Sequence, residues 1–194
     1  MPFRSNGPNY LLSCDGHDKL AGYQNSLFDL KIYGCLDTFS RKILYLWIGQ
    51  TNKDPKVIGR LYLDYLIESR LLPRRLRLDA GTETGHMCAI QKFLLERQGI
   101  DQSESEGVII GPSVDNKIER FWRDLREGMV DNFRPVLRAL YEDGLYDPTS
   151  QEDREILSGI FIPIVRQELQ RFKNYHNSKR YVVSTNNTVL ELST

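Results

Sequence analysis

The sequence predicts an α/β domain: a mixed five-stranded sheet flanked by helices, with a C-terminal helical extension. Three observations lead there. Three β-rich runs come first, the second and third joined by turn chemistry. Two short apolar runs then alternate with segments of helical period. From residue 115 to about 174 only helical periodicity is left. Antiparallel neighbours followed by strand–helix alternation call for a mixed sheet, because a strand reached through a crossover helix returns parallel to its partner.

Residues 1–9 hold two prolines, a glycine and two asparagines and read as an irregular lead-in. Residues 10–15 are a short apolar run that ends on Asp15, and read as a strand. Residues 27–36 (LFDLKIYGCL) alternate apolar and polar side chains, and residues 42–48 (KILYLWI) are again β-rich. Asp37-Thr38-Phe39-Ser40 between them is turn chemistry, so the two runs form a hairpin. Residues 54–72 read as a helix, with Val57, Leu61 and Tyr65 at helical spacing, Pro55 suited to the first turn and Pro73 as the stop. Residues 74–78 (RRLRL) alternate basic and apolar residues and end on Asp79, a second strand closed by an acid. Thr82 or Thr84 can cap a helix that runs to about Arg97 and stops at Gly99. Residues 107–111 (GVIIG) form a short buried-strand candidate.

Residues 115–130 are an amphipathic helix with Ile118, Phe121, Trp122 and Leu125 on its apolar face. Residues 132–141 continue helically past Pro135. Residues 152–174 hold one helix kinked near Pro163, or two in succession. The organisation is a lead-in over 1–9, a core over 10–145, C-terminal helices over 146–178 packed on the core, and a polar tail over 179–194.

Lysine plus arginine and aspartate plus glutamate each number 26, so the formal net charge is zero. Bulk charge therefore announces no nucleic-acid partner, and any such partner must be held by a local patch. Cys14, Cys35 and Cys88 are few, odd in number and not in C-x-x-C spacing. They fit reduced thiols, hence a nuclear or cytoplasmic protein. No apolar run is long enough for a membrane span, and MPFRSNGPNY lacks the apolar core of a signal peptide.

Three acids stand apart by placement. Asp15 closes the first strand. Asp79 closes the fourth, with Ala80-Gly81 turning the chain away. Glu119 sits inside the amphipathic helix among Asn116, Lys117, Arg120, Arg123 and Arg126. Open α/β sheets place their sites at strand ends, and acids from two such ends and a covering helix suit a shared metal. Phosphoryl transfer on a nucleic-acid backbone needs an attacking and a leaving oxygen held in line, which two divalent ions about 3.5–4 Å apart achieve. Mg²⁺ prefers a few hard oxygen ligands and leaves room for water and substrate phosphate.

The residues that carry these acids resemble the integrase core family. SCDGHDKL resembles its first-aspartate strand, and GCLDTFSRKILYLWI its second and third strands with a D-x-x-S-R turn. LRLDAGTE resembles the second-aspartate segment and VDNKIERFWRDL the glutamate helix. The nearest likeness is to transposon-derived integrase-core proteins of eukaryotic genomes, which continue through segments like RALYEDGLYDP and IFIPIVRQELQRFKNYHN. The resemblance covers residues 10–178. It implies a ribonuclease H-like fold and a DDE triad of Asp15, Asp79 and Glu119 that is both catalytic and metal-ligating. It also implies two Mg²⁺ or Mn²⁺ ions, DNA as partner, end processing and strand transfer, and a homo-oligomer. Asn116, Lys117, Arg123 and Arg126 are the expected nucleic-acid contacts, since positions four and seven beyond Glu119 share its face.

Other readings stay open beside these. The cations around Glu119 also suit a solvated face paired with Asp124 and Glu127. Arg70, Arg74, Arg75 and Arg77 suit either phosphate binding or a basic strand edge. Asp37 reads as an Asx-turn residue and stays outside the triad. His17 reads as an exposed polar residue or a phosphate contact, and Glu83 as a helix cap or a further acid near the metals. His86 and His176 lack partners at metal spacing. The alternative function is a domesticated, catalytically weak core that binds DNA or protein. A ribonuclease H-like nuclease acting on RNA or hybrids is the third reading.

Overall fold

The computed structural model describes residues 6–17, 27–100, 107–111, 116–179, 181–185 and 188–192. Most of the lead-in therefore lies outside the described residues.

The sheet forms as its patterning predicts. Strands β1 (Leu11–His17), β2 (Lys31–Asp37) and β3 (Ile43–Gly49) are antiparallel neighbours. Strand β4 (Arg75–Leu78) lies parallel to β1, and β5 (Val108–Ile110) parallel to β4. The order is β3-β2-β1-β4-β5, a mixed five-stranded sheet of the ribonuclease H-like kind. Helix α1 (Pro55–Ser69) carries the chain from β3 to β4. It starts at Asp54, whose side chain accepts from the Lys56 amide, and ends early because Arg70 takes the left-handed conformation at φ 55°. Pro73 is thus not the stop; the helix is already closed before it. Helix α2 (Gly85–Arg97) follows a short 3₁₀ turn at Thr82–Thr84 and ends before Gly99, at φ +70°.

Alternation along the strands splits the core in two. Leu12, Cys14, Tyr33, Cys35, Leu76 and Leu78 face α1 and α2 and pack with Ile58, Tyr62 and Met87. Ile32, Leu36, Ile43 and Ile48 face the other way, against helices α3 (Asn116–Gly128), α4 (Arg134–Glu142) and α5 (Gln151–Ser178). Each fully buried leucine or isoleucine contributes about 1.5–3 kcal/mol, so both faces are needed to hold the sheet.

Helix α5 is one continuous element of 28 residues that contains Pro163. Its last turns run along β3, the sheet edge. The Asn177 side chain accepts from the Ile43 amide and donates to the Ile43 carbonyl, each at 2.8 Å, and so stands in for a neighbouring strand. Lys173 Nζ donates to the Leu44 carbonyl, and His176 Nε2 to the Arg41 carbonyl. An open edge is a template for unwanted strand pairing, and these side chains occupy it. The tail is not featureless: β6 (Tyr181–Thr185) and β7 (Thr188–Leu192) pair as an antiparallel hairpin. Among the described residues, no helix is long and apolar enough to cross a membrane.

Candidate active site

The parallel register of β1 and β4 runs from Leu11–Arg75 to Cys14–Leu78. The next residue on each strand is an aspartate, Asp15 on β1 and Asp79 beyond β4. Asp15 does not close its strand as the sequence suggested, because pairing with β2 carries β1 on to His17; it lies inside β1, beside the point where the chain leaves β4 at Asp79. Beyond Asp79 the chain turns through Gly81, whose carbonyl accepts from Thr84 Oγ1 at 2.8 Å.

The third acid arrives on α3, positioned by packing. Ile118, Phe121, Trp122 and Leu125 are buried, which leaves Glu119, Arg120, Arg123 and Arg126 exposed. Trp122 lies one turn after Glu119, and its indole Nε1 donates to Asp15 Oδ2 at 2.9 Å. The glutamate helix and the first aspartate strand therefore touch at the site.

Gly34 makes that contact possible. It is paired with Asp15 across β1 and β2, and a β-carbon there would come within 3.0 Å of the Trp122 ring and 2.9 Å of Leu46. Glycine inside a strand costs roughly 0.5–1 kcal/mol. Burying a tryptophan with its N–H satisfied returns more than that, so the glycine is the cheaper choice. His17, two residues past Asp15, stacks on Trp122 with ring centroids 4.9 Å apart and planes at 13°. It is half-buried, which departs from the expectation of an exposed polar residue.

The donor chemistry at this end of the sheet is oxygen-rich. Alternation sends Cys14 to the α1–α2 face, away from Asp15, and Cys35 with it. Carboxylates without thiolates suit hard ions such as Mg²⁺ or Mn²⁺ better than soft ones. Asp79 and Glu119 are exposed and Asp15 is half-buried. Among the described residues, no group of three or more His, Cys, Asp or Glu could hold a metal ion. The register thus brings the two aspartates to one rim, while the glutamate is not gathered with them into a closed cage. Convergence of like-charged carboxylates is unfavourable unless a cation offsets it.

Glu83 does not cap: neither the 3₁₀ turn nor α2 has a side-chain cap bond. Its carboxylate instead folds back over Gly81, where a β-carbon would lie 2.1 Å from Oε1. Burial pushes the Tyr33 hydroxyl pKa well above its usual value, and the charges of Cys14, Cys35, Asp15 and Glu83 push the same way.

The expected phosphate contacts divide. Lys117 is half-buried, and its Nζ donates to the Thr38 carbonyl at 2.9 Å, tying α3 to the β2–β3 hairpin. Arg123 is exposed, and Arg126 is exposed beside Glu127 at 3.3 Å. Asn116 opens α3, and its side chain lies outside the described residues. The basic run before Asp79 is not an open patch. Arg77 is buried at 7% exposure, and Arg75 lies over the Tyr10 ring at 5.8 Å. Asp37 is buried and accepts from the Asn9, Phe39 and Ser40 amides and the Ser40 hydroxyl, as an Asx-turn residue would.

Sequence reasoning missed two residues of this site. It assigned Trp122 to the core alone and gave Gly34 no role. A tryptophan three positions after the helix glutamate and a glycine inside a strand pattern were the available signals. A comparison with curated proteins finds no match. The family model described as integrase core domain matches residues 3–194. With that span and the five-stranded order in view, the chain belongs to the integrase core domain family.

Proposed function

We propose that this protein is a DDE-type, metal-dependent polynucleotidyl transferase acting on DNA phosphodiesters in an integration or transposition reaction. Asp15, Asp79 and Glu119 are its catalytic acids. The observation that carries the reading is the β1–β4 register, which delivers Asp15 and Asp79 to one rim of the sheet. Family membership and the all-oxygen donor set support it.

In this reading Asp15, Asp79 and Glu119 hold two Mg²⁺ or Mn²⁺ ions. Bound there, the ions would activate the attacking oxygen of water or a DNA 3′-hydroxyl and stabilise the leaving oxygen. The two aspartates supply ligands from a rigid sheet end, so their spacing is fixed by backbone geometry. Glu119 supplies the third from an exposed helix position, where it can approach the strand ends without disturbing the core. Arg123 and Arg126, on the same flank of α3, hold the backbone phosphates; Lys117 and Asn116 contribute at the first turn of α3. Joining paired DNA ends requires more than one copy of the chain, and sedimentation with DNA checks this.

The competing reading is a core that binds DNA or protein without catalysis, favoured by the zero net charge. Nicking of supercoiled plasmid with Mn²⁺ separates the two. Wild type should nick; Asp79→Asn and Glu119→Gln should lose at least about 100-fold, the upper end of what losing a mere supporting partner costs. Both variants should melt near wild type and still bind DNA in chelator. An inactive wild type that binds DNA favours the binder, and equal activity in all three removes these residues from the chemistry.

A further inference from the structure

A buried tryptophan needs an acceptor for its indole N–H, and in a sheet protein a backbone carbonyl would serve. Trp122 instead donates to a carboxylate, Asp15 Oδ2, on a strand 107 positions earlier in the chain. Its seat is built from several directions. Gly34 leaves the floor open directly opposite Asp15. His17 stacks on one face of the ring, and Phe121 tilts against it at 4.7 Å. Few orientations of the indole satisfy all of these contacts at once, so the N–H points where the carboxylate must be.

We propose that Trp122 is the positioning residue of this site. Its indole N–H orients the Asp15 carboxylate and, because α3 carries it one turn from Glu119, sets the acid on β1 in register with the acid on the helix. The inference rests on the reading of Asp15, Asp79 and Glu119 as one metal-binding set. A partner that orients a ligand by hydrogen bonding changes metal affinity when it is lost, typically by about 10–100-fold. A tryptophan that only fills the core would change stability and leave ion affinity alone.

The test is Mn²⁺ binding by isothermal titration calorimetry. Wild type is compared with Asp15→Asn, Trp122→Phe and a Trp122 replacement by benzothienylalanine, which keeps the ring shape and removes the N–H. If Trp122→Phe fails to fold, the isostere decides. Both Trp122 replacements should weaken Mn²⁺ binding roughly 10-fold or more, and the isostere should melt near wild type. A spectroscopic readout runs beside it. The chain has two tryptophans, so Trp47→Phe leaves Trp122 as the only indole. Paramagnetic Mn²⁺ should then quench its emission with the midpoint found by calorimetry. An isostere that binds Mn²⁺ like wild type, while Asp15→Asn is weakened, overturns the positioning role and leaves the metal reading standing. Asp15→Asn binding like wild type overturns the metal reading itself, and the positioning role with it.

Discussion

Asp15 and Asp37 sit on the same antiparallel strand pair: Asp37 at its end, opposite Leu12, and Asp15 inside it, opposite Gly34. Both are single acids on apolar strands, yet their surroundings differ in kind. Asp37 is 1% exposed and accepts from the amides of Phe39 and Ser40 and the hydroxyl of Ser40, two and three positions away. It also accepts from the Asn9 amide, which fastens the lead-in to the hairpin. Asp15 is half-buried, and Trp122 reaches it from another element. A carboxylate surrounded by donors close in sequence is a structural part of its turn. One that stays half-buried beside the end of a neighbouring strand, and meets a distant side chain, is available for chemistry.

The sharpest way to break this contrast is to truncate each acid. Asp37→Ala strands several buried donors, so urea unfolding should show a loss of about 2–4 kcal/mol. Its Mn²⁺ affinity, measured where the variant is folded, should match wild type. Asp15→Ala should cost only about 1–2 kcal/mol, the penalty of an unpaired indole N–H, while Mn²⁺ binding is lost. Equal losses of stability in the two variants, or a weakened ion affinity in Asp37→Ala, would dissolve the distinction.

A smaller effect is expected from the cations on the Asp15 side. Replacing Arg123 and Arg126 with alanine should weaken DNA binding to a similar degree across sequences. It should also reduce the slope of log affinity against log salt by about one per arginine, because each phosphate contact releases counterions. The measurement is fluorescence anisotropy over a salt series. An unchanged slope moves the DNA path off this flank of α3.

The smallest effect belongs to the Asp37 side, where α5 covers the hairpin. Burial lowers the His176 pKa from its usual 6.5; the bond to the Arg41 carbonyl opposes this, Lys179 adds to it and Asp124 opposes it. With the folded value below the unfolded one, the unfolded chain takes up the proton first as pH falls. The stabilisation is therefore complete above pH 6.5 and declines below it, toward the folded value. Thermal melts at pH 7.5 and 5.5 should show a larger acid-side drop for wild type than for His176→Gln. Equal drops would assign the acid sensitivity elsewhere.

Much of the fold was legible in the chain. Alternation or short apolar runs marked the strands of the main sheet, D-T-F-S marked the hairpin, and the apolar positions of α3 marked its buried face, because these signals are local. Element ends were less legible: Arg70 ends α1 in a conformation no sequence rule assigns to arginine. The hairpin of β6 and β7 had no period strong enough to announce it. The site divided along the same line. Asp79 could be placed at a strand end, while Asp15 proved to lie inside β1, and the bond from Lys117 to the Thr38 carbonyl had no local signal.

The sequence by itself determined the five strands of the main sheet and which of their residues alternate into the core, because backbone periodicity acts over a few residues. It also carried the family, which the family model matches over residues 3–194. Only the tertiary structure decided that β1 and β4 pair in the register that brings Asp15 and Asp79 to one rim, and that Trp122 donates to Asp15 across 107 positions. The first depends on backbone pairing between strands far apart in the chain and the second on how α3 packs against the sheet, and contacts between distant elements leave no periodic trace in either one.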